Sequence, residues 1–243
     1  MIPPKQQSFP YYIAGVNFGT HKIWETLSNG WMRSVIRNTD AGCIIRNVPW
    51  PLEQERRRYL KSSHMENNWK LRWWKEIVYK ATKPIVLMDT DCLVLDDIDL
   101  AWAEQPQDII LTDRGDKWVN AGVIFVRPGE VARRFFDDWL HADDFLLTQP
   151  RLHRKNINTK GHHIVGQNQL SLWSIYPKFQ DQIGWVPCLV YNSCEDQYWT
   201  SRGSKVIHVK SALRTELQRA LQGRNARRYP DLVQRILPYY QED

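Results

Sequence analysis

Apolar and polar residues change period several times along the chain, and each change predicts an element. Alternation of apolar and small residues in YYIAGVNFG (11–19) predicts a first strand ending at Gly19. Thr20 then suits an N-cap for a short helix carrying Ile23, Trp24 and Leu27 on one face and stopping near Gly30. SVIR and CIIRNV are β-branched runs on either side of the turn signal NTDAG, and predict two strands. PLEQERRRYLK reads as a helix with Pro51 in its first turn. Asn67 or Asn68 caps the next helix, on which Trp69, Trp73, Ile77 and Ala81 recur at helical spacing. Further strands are predicted at Ile85–Met88, DIILTD, NAGVIFVRPG, IGWVPCLVYN and KVIHV. Helical stripes lie at Val131, Phe135 and Trp139, and in NQLSLWSIY. Two amphipathic helices close the chain. One carries Leu213, Leu217, Ala220 and Leu221 and ends at Gly223; the other carries Leu232, Val233, Ile236 and Leu237, with Pro230 at its start.

Strands and helices alternate through the first two thirds of the chain, which predicts an α/β sandwich with a largely parallel sheet. Ligands of such sheets bind at the carboxyl ends of the strands. The stretch KPIVLMDTDCLVLDDIDL sets Asp89 and Asp91 at such an end, between two apolar runs. Burying an unpaired carboxylate costs several kcal/mol, roughly. Two carboxylates on one side of an extended backbone also repel, so a cation has to stand between them. A hard divalent ion, Mg²⁺ or Mn²⁺, does this with oxygen ligands and a substrate phosphate. The plainer alternative is a solvent-exposed turn with two acids.

Composition narrows the partners. The 243 residues suit one domain or one domain with an appendage. The sequence shows no secretory signal pattern and no apolar run of about 18 residues, so the expected location is cytoplasmic. Cys43, Cys92, Cys188 and Cys194 form no CxxC pair and are expected as free thiols, mostly buried. The net charge is +6, and from Ser201 onward nine Lys/Arg face four Asp/Glu. A second basic cluster runs from Gln54 to Lys75. Such clusters suit polyanions, with a solvated face as the equal alternative; the Arg, Lys and Trp interleaved in NNWKLRWWK match the electrostatic footprint of nucleic-acid binding. Most of the 12 Trp are expected in the core; Trp74, off the Trp69/Trp73 stripe, is the one expected to be exposed.

Four segments resemble, in order, the motifs of GT-A-fold glycosyltransferases of the glycogenin and bacterial galactosyltransferase-like group: IVLMDTDCLVLDDI, VNAGVIFVRPG, NQLSLW and KVIHVKSALR. They span Ile85 to Arg214. The resemblance implies a GT-A-like α/β/α sandwich with a mainly parallel, nucleotide-binding sheet and C-terminal helices. Residues 1–210 would be the catalytic domain and 211–243 a basic helical extension packed on it. It implies Mn²⁺ or Mg²⁺ on Asp89, Asp91 and His208, and a UDP-sugar donor. Donor contacts would come from Gly15, Val16, Asn17, Lys75, Asp89, Asn120, Ala121 and Lys210. Asn168 and Gln169 would lie under the sugar. Asn168 stands where the family often has Asp, so the acid under the sugar is missing, and Asp113 or Asp116 is left as base or sugar contact. In the last motif the phosphate contact falls on Lys210 or Arg214. A retaining mechanism, in which the leaving diphosphate takes the acceptor proton, fits this departure better than an inverting one.

The motifs do not state the acceptor. The basic clusters at 54–75 and 202–228 point to DNA, and some viral and protist GT-A enzymes glucosylate hydroxymethylated pyrimidines. A viral DNA-base glycosyltransferase is therefore the first reading. A cytosolic-face lipopolysaccharide or capsule glycan transferase, docked by its C-terminal helices on anionic lipid, is the second. The latter requires Leu and Ile exposed beside Arg in those helices. A D-x-D phosphohydrolase is a distant third, and a nucleic-acid-binding module without catalysis leaves the buried acids unexplained.

Overall fold

A computed structural model describes residues 9–18, 22–48, 62–115, 119–148 and 167–241 of the chain. A six-stranded sheet is built from β1 (Tyr12–Asn17), β2 (Gly42–Asn47), β3 (Ile85–Met88), β5 (Ile109–Asp113), β6 (Val119–Val126) and β7 (Ile183–Pro187), in the order β2-β1-β3-β6-β5-β7. Five strands run parallel; β6 is antiparallel to both of its neighbours. A separate antiparallel pair joins β4 (Cys92–Val94) to β8 (Val206–His208). The helices are α1 (Lys22–Asn38), α2 (Ser62–Lys80), α3 (Leu100–Glu104), α4 (Glu130–Thr148), α5 (Gln167–Phe179), α6 (Cys188–Tyr191), α7 (Ser211–Leu221) and α8 (Pro230–Ile236). This is the α/β class expected, with a mainly parallel sheet.

Alternation in β3 divides the core. Ile85 and Leu87 pack with Trp74, Phe135, Phe136 and Trp139 from α2 and α4 on one face. Val86 and Met88 pack with Trp31, Val35, Ile98 and Phe125 on the other side. All four β3 residues are buried on a two-faced sheet, hence the unbroken apolar run. A third cluster gathers Leu27 of α1, Leu93 and Ile207 of the β4–β8 pair, and Leu213, Leu217, Leu232, Val233 and Ile236 of the last two helices. Each such side chain contributes about 1.5–3 kcal/mol by leaving water.

Several elements differ from the pattern reading. Gly30 does not stop α1, which runs on through SVIR to Asn38. A Cβ at Gly30 would lie 2.2 Å from the Tyr240 ring, so the glycine admits a ring from the chain's end and breaks nothing. The apolar residues of SVIR are met by tertiary packing of a helix, which overrides their β preference. α2 is described from Ser62 onward, so Asn68 lies inside it and is no cap: its amide donates to Asp143 and Asp144. Trp74 is fully buried, 6.3 Å from Trp139. IGWVPCLVYN is a strand only to Pro187, and Cys188–Tyr191 turn helical. The predicted helix at 51–61 and the Thr20 cap lie outside the described residues.

Candidate functional site

The carboxyl ends of β1, β3, β5 and β7 share one edge of the sheet, and the reversed β6 brings its first residues to the same edge. Asp89, Thr90 and Asp91 leave this edge as a turn closed by Cys92 N–H on the Asp89 carbonyl at 3.0 Å. The Thr90 hydroxyl donates to the Val16 carbonyl at 3.1 Å. Gly15 makes room for it: a Cβ there would meet Thr90 Cγ2 at 2.7 Å. The chain then enters β4, where Cys92 is registered opposite His208 and Val209 N–H donates to the Asp91 carbonyl at 2.7 Å. A motif residue near 90 and one near 208 thereby become neighbours.

His208 is fully buried, and its surroundings fix which nitrogen carries the proton. The Thr112 hydroxyl donates to the Asn120 carbonyl at 2.8 Å, so its lone pairs accept from Asn192 Nδ2 at 3.1 Å. That orients the Asn192 amide with Oδ1 toward His208 Nδ1, 3.0 Å away. A carbonyl oxygen demands a donor, so in the neutral ring Nδ1 holds the hydrogen and Nε2 presents a lone pair. Nε2 lies 2.9 Å from Asp91 Oδ1 and 3.7 Å from Asp89 Oδ2, yet it is a buried nitrogen with no hydrogen bond. Gly122 admits the ring: a Cβ would sit 2.5 Å from His208 Cε1. Two carboxylates and one outward-facing imidazole nitrogen form a donor set that Mn²⁺ or Mg²⁺ accepts. Cys92 Sγ is also near Asp91 and His208. Burial, with Asp91 and Asp89 beside it, pushes that thiol well up, which keeps it protonated beside harder oxygen donors.

Cations surround the acids. Lys70 Nζ lies 2.5 Å from Asp89 Oδ1, with Trp74 beneath it at 4.6 Å. Arg214 lies 2.5 Å from Asp91 Oδ2, donates to the Val209 carbonyl at 3.2 Å, and stacks over Trp24 at 4.6 Å. Burial opposes ionisation of Asp91, but a charged His208 ring, with Arg214 and Lys210, outweighs it and holds the carboxyl well below the usual range; the neutral ring with its Nε2 lone pair is the form that would accept a cation. Lys70, Asp89, Asp91, His208 and Trp24 line a cleft of about 170 Å³ with Val16, Phe18 and Lys210; Arg214 stands behind Asp91 and is not part of the lining.

The other expected site residues divide. Val16, Asp89, Asp91, His208 and Lys210 meet in the cleft. Lys75 is not with them: it pairs with Asp137 at 2.7 Å on the outer side of α2, and Lys70 is the lysine that reaches the acids. Gly15 acts through packing and Ala121 sits in the core. Asn17 donates to Asn47 at 3.0 Å. Asn120 donates toward Cys194 Sγ at 3.4 Å and accepts from Gly122 N–H at 3.0 Å. Asn168 is buried, its carbonyl accepting from Trp139 Nε1 at 3.0 Å, and the Gln169 amide donates to the Val119 carbonyl. Asp113 lines a neighbouring open cleft with Trp185, Leu189 and Gln197. Asp116 lies outside the described residues. Sequence reasoning missed Lys70, Gly122 and Asn192. Only Gly122 carried a signal, as the glycine of NAG.

No protein-family model matches the chain, and no curated protein matches it significantly in sequence. Solved structures do match in fold. One is a glycosyltransferase involved in the glycosylation of the major capsid of PBCV-1: TM-score 0.57, 14% identity, covering 87% of this chain and 98% of that one. Another is the glycosyltransferase GlyE of Streptococcus pneumoniae TIGR4: TM-score 0.55, 14% identity, covering 97% of this chain and 61% of that one. Fold and strand edge thus define a class: a mixed α/β sandwich of the kind found in GT-A-like glycosyltransferases. The particular chain shares that fold with the PBCV-1 and GlyE enzymes.

Proposed function

We propose that this protein transfers a glycosyl group from a UDP-sugar to a hydroxyl acceptor, with a divalent cation, Mn²⁺ or Mg²⁺, held by Asp89, Asp91 and His208. One observation carries the reading: a fully buried imidazole nitrogen, its tautomer set by Asn192, faces two carboxylates at the ligand-binding edge of the sheet without a hydrogen bond. When bound, the cation supplies Lewis-acid stabilisation of charge on the leaving diphosphate. The chain's own groups do the rest. Lys210, which lines the cleft, is the electrostatic clamp on the diphosphate, and Arg214 holds Asp91 in place. Lys70, 2.5 Å from Asp89 Oδ1, orients that carboxylate. Val16 and Phe18 wall the nucleotide side. With Asn168 in place of an acid, retention is the proposed outcome, the leaving diphosphate taking the acceptor proton; Asp113 is the residue to test as an alternative base.

The proposed acceptor is a hydroxymethylpyrimidine in DNA, and the structure narrows its support. Within the first basic cluster, Lys70, Arg72 and Lys75 are each paired with an acid. The C-terminal cluster keeps Arg202, Arg224, Arg227 and Arg228 exposed. A lipid-docked glycan transferase is less well supported, because Leu213, Leu217, Leu232, Val233 and Ile236 are buried. The test is incubation of UDP-sugars and Mn²⁺ with DNA containing 5-hydroxymethylcytosine or 5-hydroxymethyluracil, read by mass spectrometry of the nucleosides. A sugar on the base, lost in Asp91→Ala, is the expected result. UDP release with unmodified DNA would remove this acceptor and keep the transferase.

A further inference from the structure

A second cleft, of about 190 Å³, lies on the other side of the short helical segment 195–203. Its wall is aromatic. Trp199 is 70% exposed, the most open large apolar side chain among the described residues. Its ring lies 4.7 Å from that of Tyr229, tilted by 57°, and Tyr229 in turn stands edge-on to Tyr198 at 5.2 Å. Tyr229 holds a left-handed backbone (φ 54°, ψ 44°) directly before Pro230. An L-residue before proline disfavours this, so packing must hold the ring in place. Tyr198 ties the cleft to the first site: its hydroxyl donates to the His208 carbonyl and accepts from Lys210 N–H at 3.0 Å. The rim is basic. Arg202 and Arg235 line it, and Arg227 and Arg228 immediately precede Tyr229; all four are exposed. Against them the lining holds one acid, Asp231.

We infer that this cleft binds a nucleic-acid strand, with one unstacked base against Trp199 and Tyr229 and the flanking phosphates on Arg202, Arg227 and Arg228. The volume is below the roughly 300–1,000 Å³ of an ordinary small-molecule pocket, so it takes one ring and leaves the rest of the ligand outside. Aromatic faces accept any base, and the charge that remains is complementary to a phosphodiester backbone. A neutral saccharide would use the ring but not the arginines. The inference rests on the acceptor half of the proposed function and is independent of the donor half.

The experiment is fluorescence anisotropy of a labelled single-stranded oligothymidylate titrated with the full chain over a range of potassium chloride concentrations. Binding is expected to weaken steeply with salt. Trp199→Ala should weaken it by about tenfold or more and Trp199→Phe much less. Arg202→Ala combined with Arg228→Ala should reduce the logarithmic salt slope by about 1.4, two phosphates at roughly 0.7 each. UDP release from a UDP-sugar, measured on the same variants, should be unchanged, so a misfolded variant or a failed donor reading is recognised separately. Salt-independent binding, equal binding by Trp199→Ala, or no oligonucleotide binding alongside quenching of Trp199 by a neutral oligosaccharide would each overturn the inference.

Discussion

At the scale of single residues, the site depends on groups that no motif names. Asn192 fixes the His208 tautomer from 3.0 Å away. Asn192→Ala should therefore lower Mn²⁺ affinity about 10- to 100-fold while the fold persists, as calorimetric titration would register. Unchanged affinity would remove Asn192 from the account. Gly122→Ala should displace the imidazole, because its Cβ would stand 2.5 Å from Cε1, and abolish Mn²⁺ binding in the same titration. Beside Asn120, Cys194 has a distinctive titration. A hydrogen bond from the Cys188 thiol, with His208, Arg114 and Lys210, outweighs burial and lowers it from an ordinary 9.0 to about 6. The folded value is below the unfolded one, so the thiolate's contribution to stability is present above pH 9.0 and is lost as pH falls through about 6. Thiolate absorbance should titrate with a midpoint near 6 and vanish in Cys194→Ser; a midpoint at the ordinary value would contradict this. Asp89, Asp91 and His208 were legible because they sit in recognisable strand-end motifs. Lys70 was not: sequence position suggested Lys75, and only the phase of α2 on the sheet shows which lysine faces inward. Asn192 was illegible because its role exists only once β5, β6 and β8 converge.

At the scale of elements, the close approach of α1 to the chain's end is the contact most open to test. Gly30→Ala should destabilise by about 1–3 kcal/mol through overpacking on Tyr240, read from the denaturant midpoint. In a Tyr240→Ala background the penalty should vanish, since the clashing ring is gone; a persistent penalty would locate the cost elsewhere. This contact also explains where pattern reading fell short. Strands β1, β3, β5 and β6 were legible because their apolar runs are buried on both faces of one sheet. SVIR has the same local character but lies on a helix, and nothing within four residues distinguishes it. The reversal of β6 was not legible either, since an apolar strand does not encode its direction. That reversal is what carries Asn120 and Gly122 to the sheet edge where Asp89 and His208 meet.

At the scale of the whole molecule, charge and apolar surface sort the partners. The acids that neutralise Arg72 and Lys75 come from α4, far along the chain, so these two cations, the described part of that basic stretch with Lys70, are paired in space. Arg202, Arg224, Arg227, Arg228 and Arg235 stay exposed, while Leu213, Leu217 and Leu232 join the third core cluster. No described helix is long and apolar enough to cross a membrane. The fold class was readable from the alternation of strands and helices, and Asp89, Asp91 and His208 from the motifs between Ile85 and Arg214, which the fold brings together. The aromatic cleft at Trp199 was not, because Tyr229 reaches it from thirty residues later, at the entry to α8. We propose that Asp89, Asp91 and His208 would hold a divalent cation and that release of UDP from a UDP-sugar depends on these three residues. The direct measurement is UDP release by the purified chain with Mn²⁺ and with a chelator, for the wild type and His208→Ala. The account predicts release that requires the cation and is lost in the variant while its thermal unfolding stays cooperative. Release that ignores the chelator, or survives equally in His208→Ala, would contradict it.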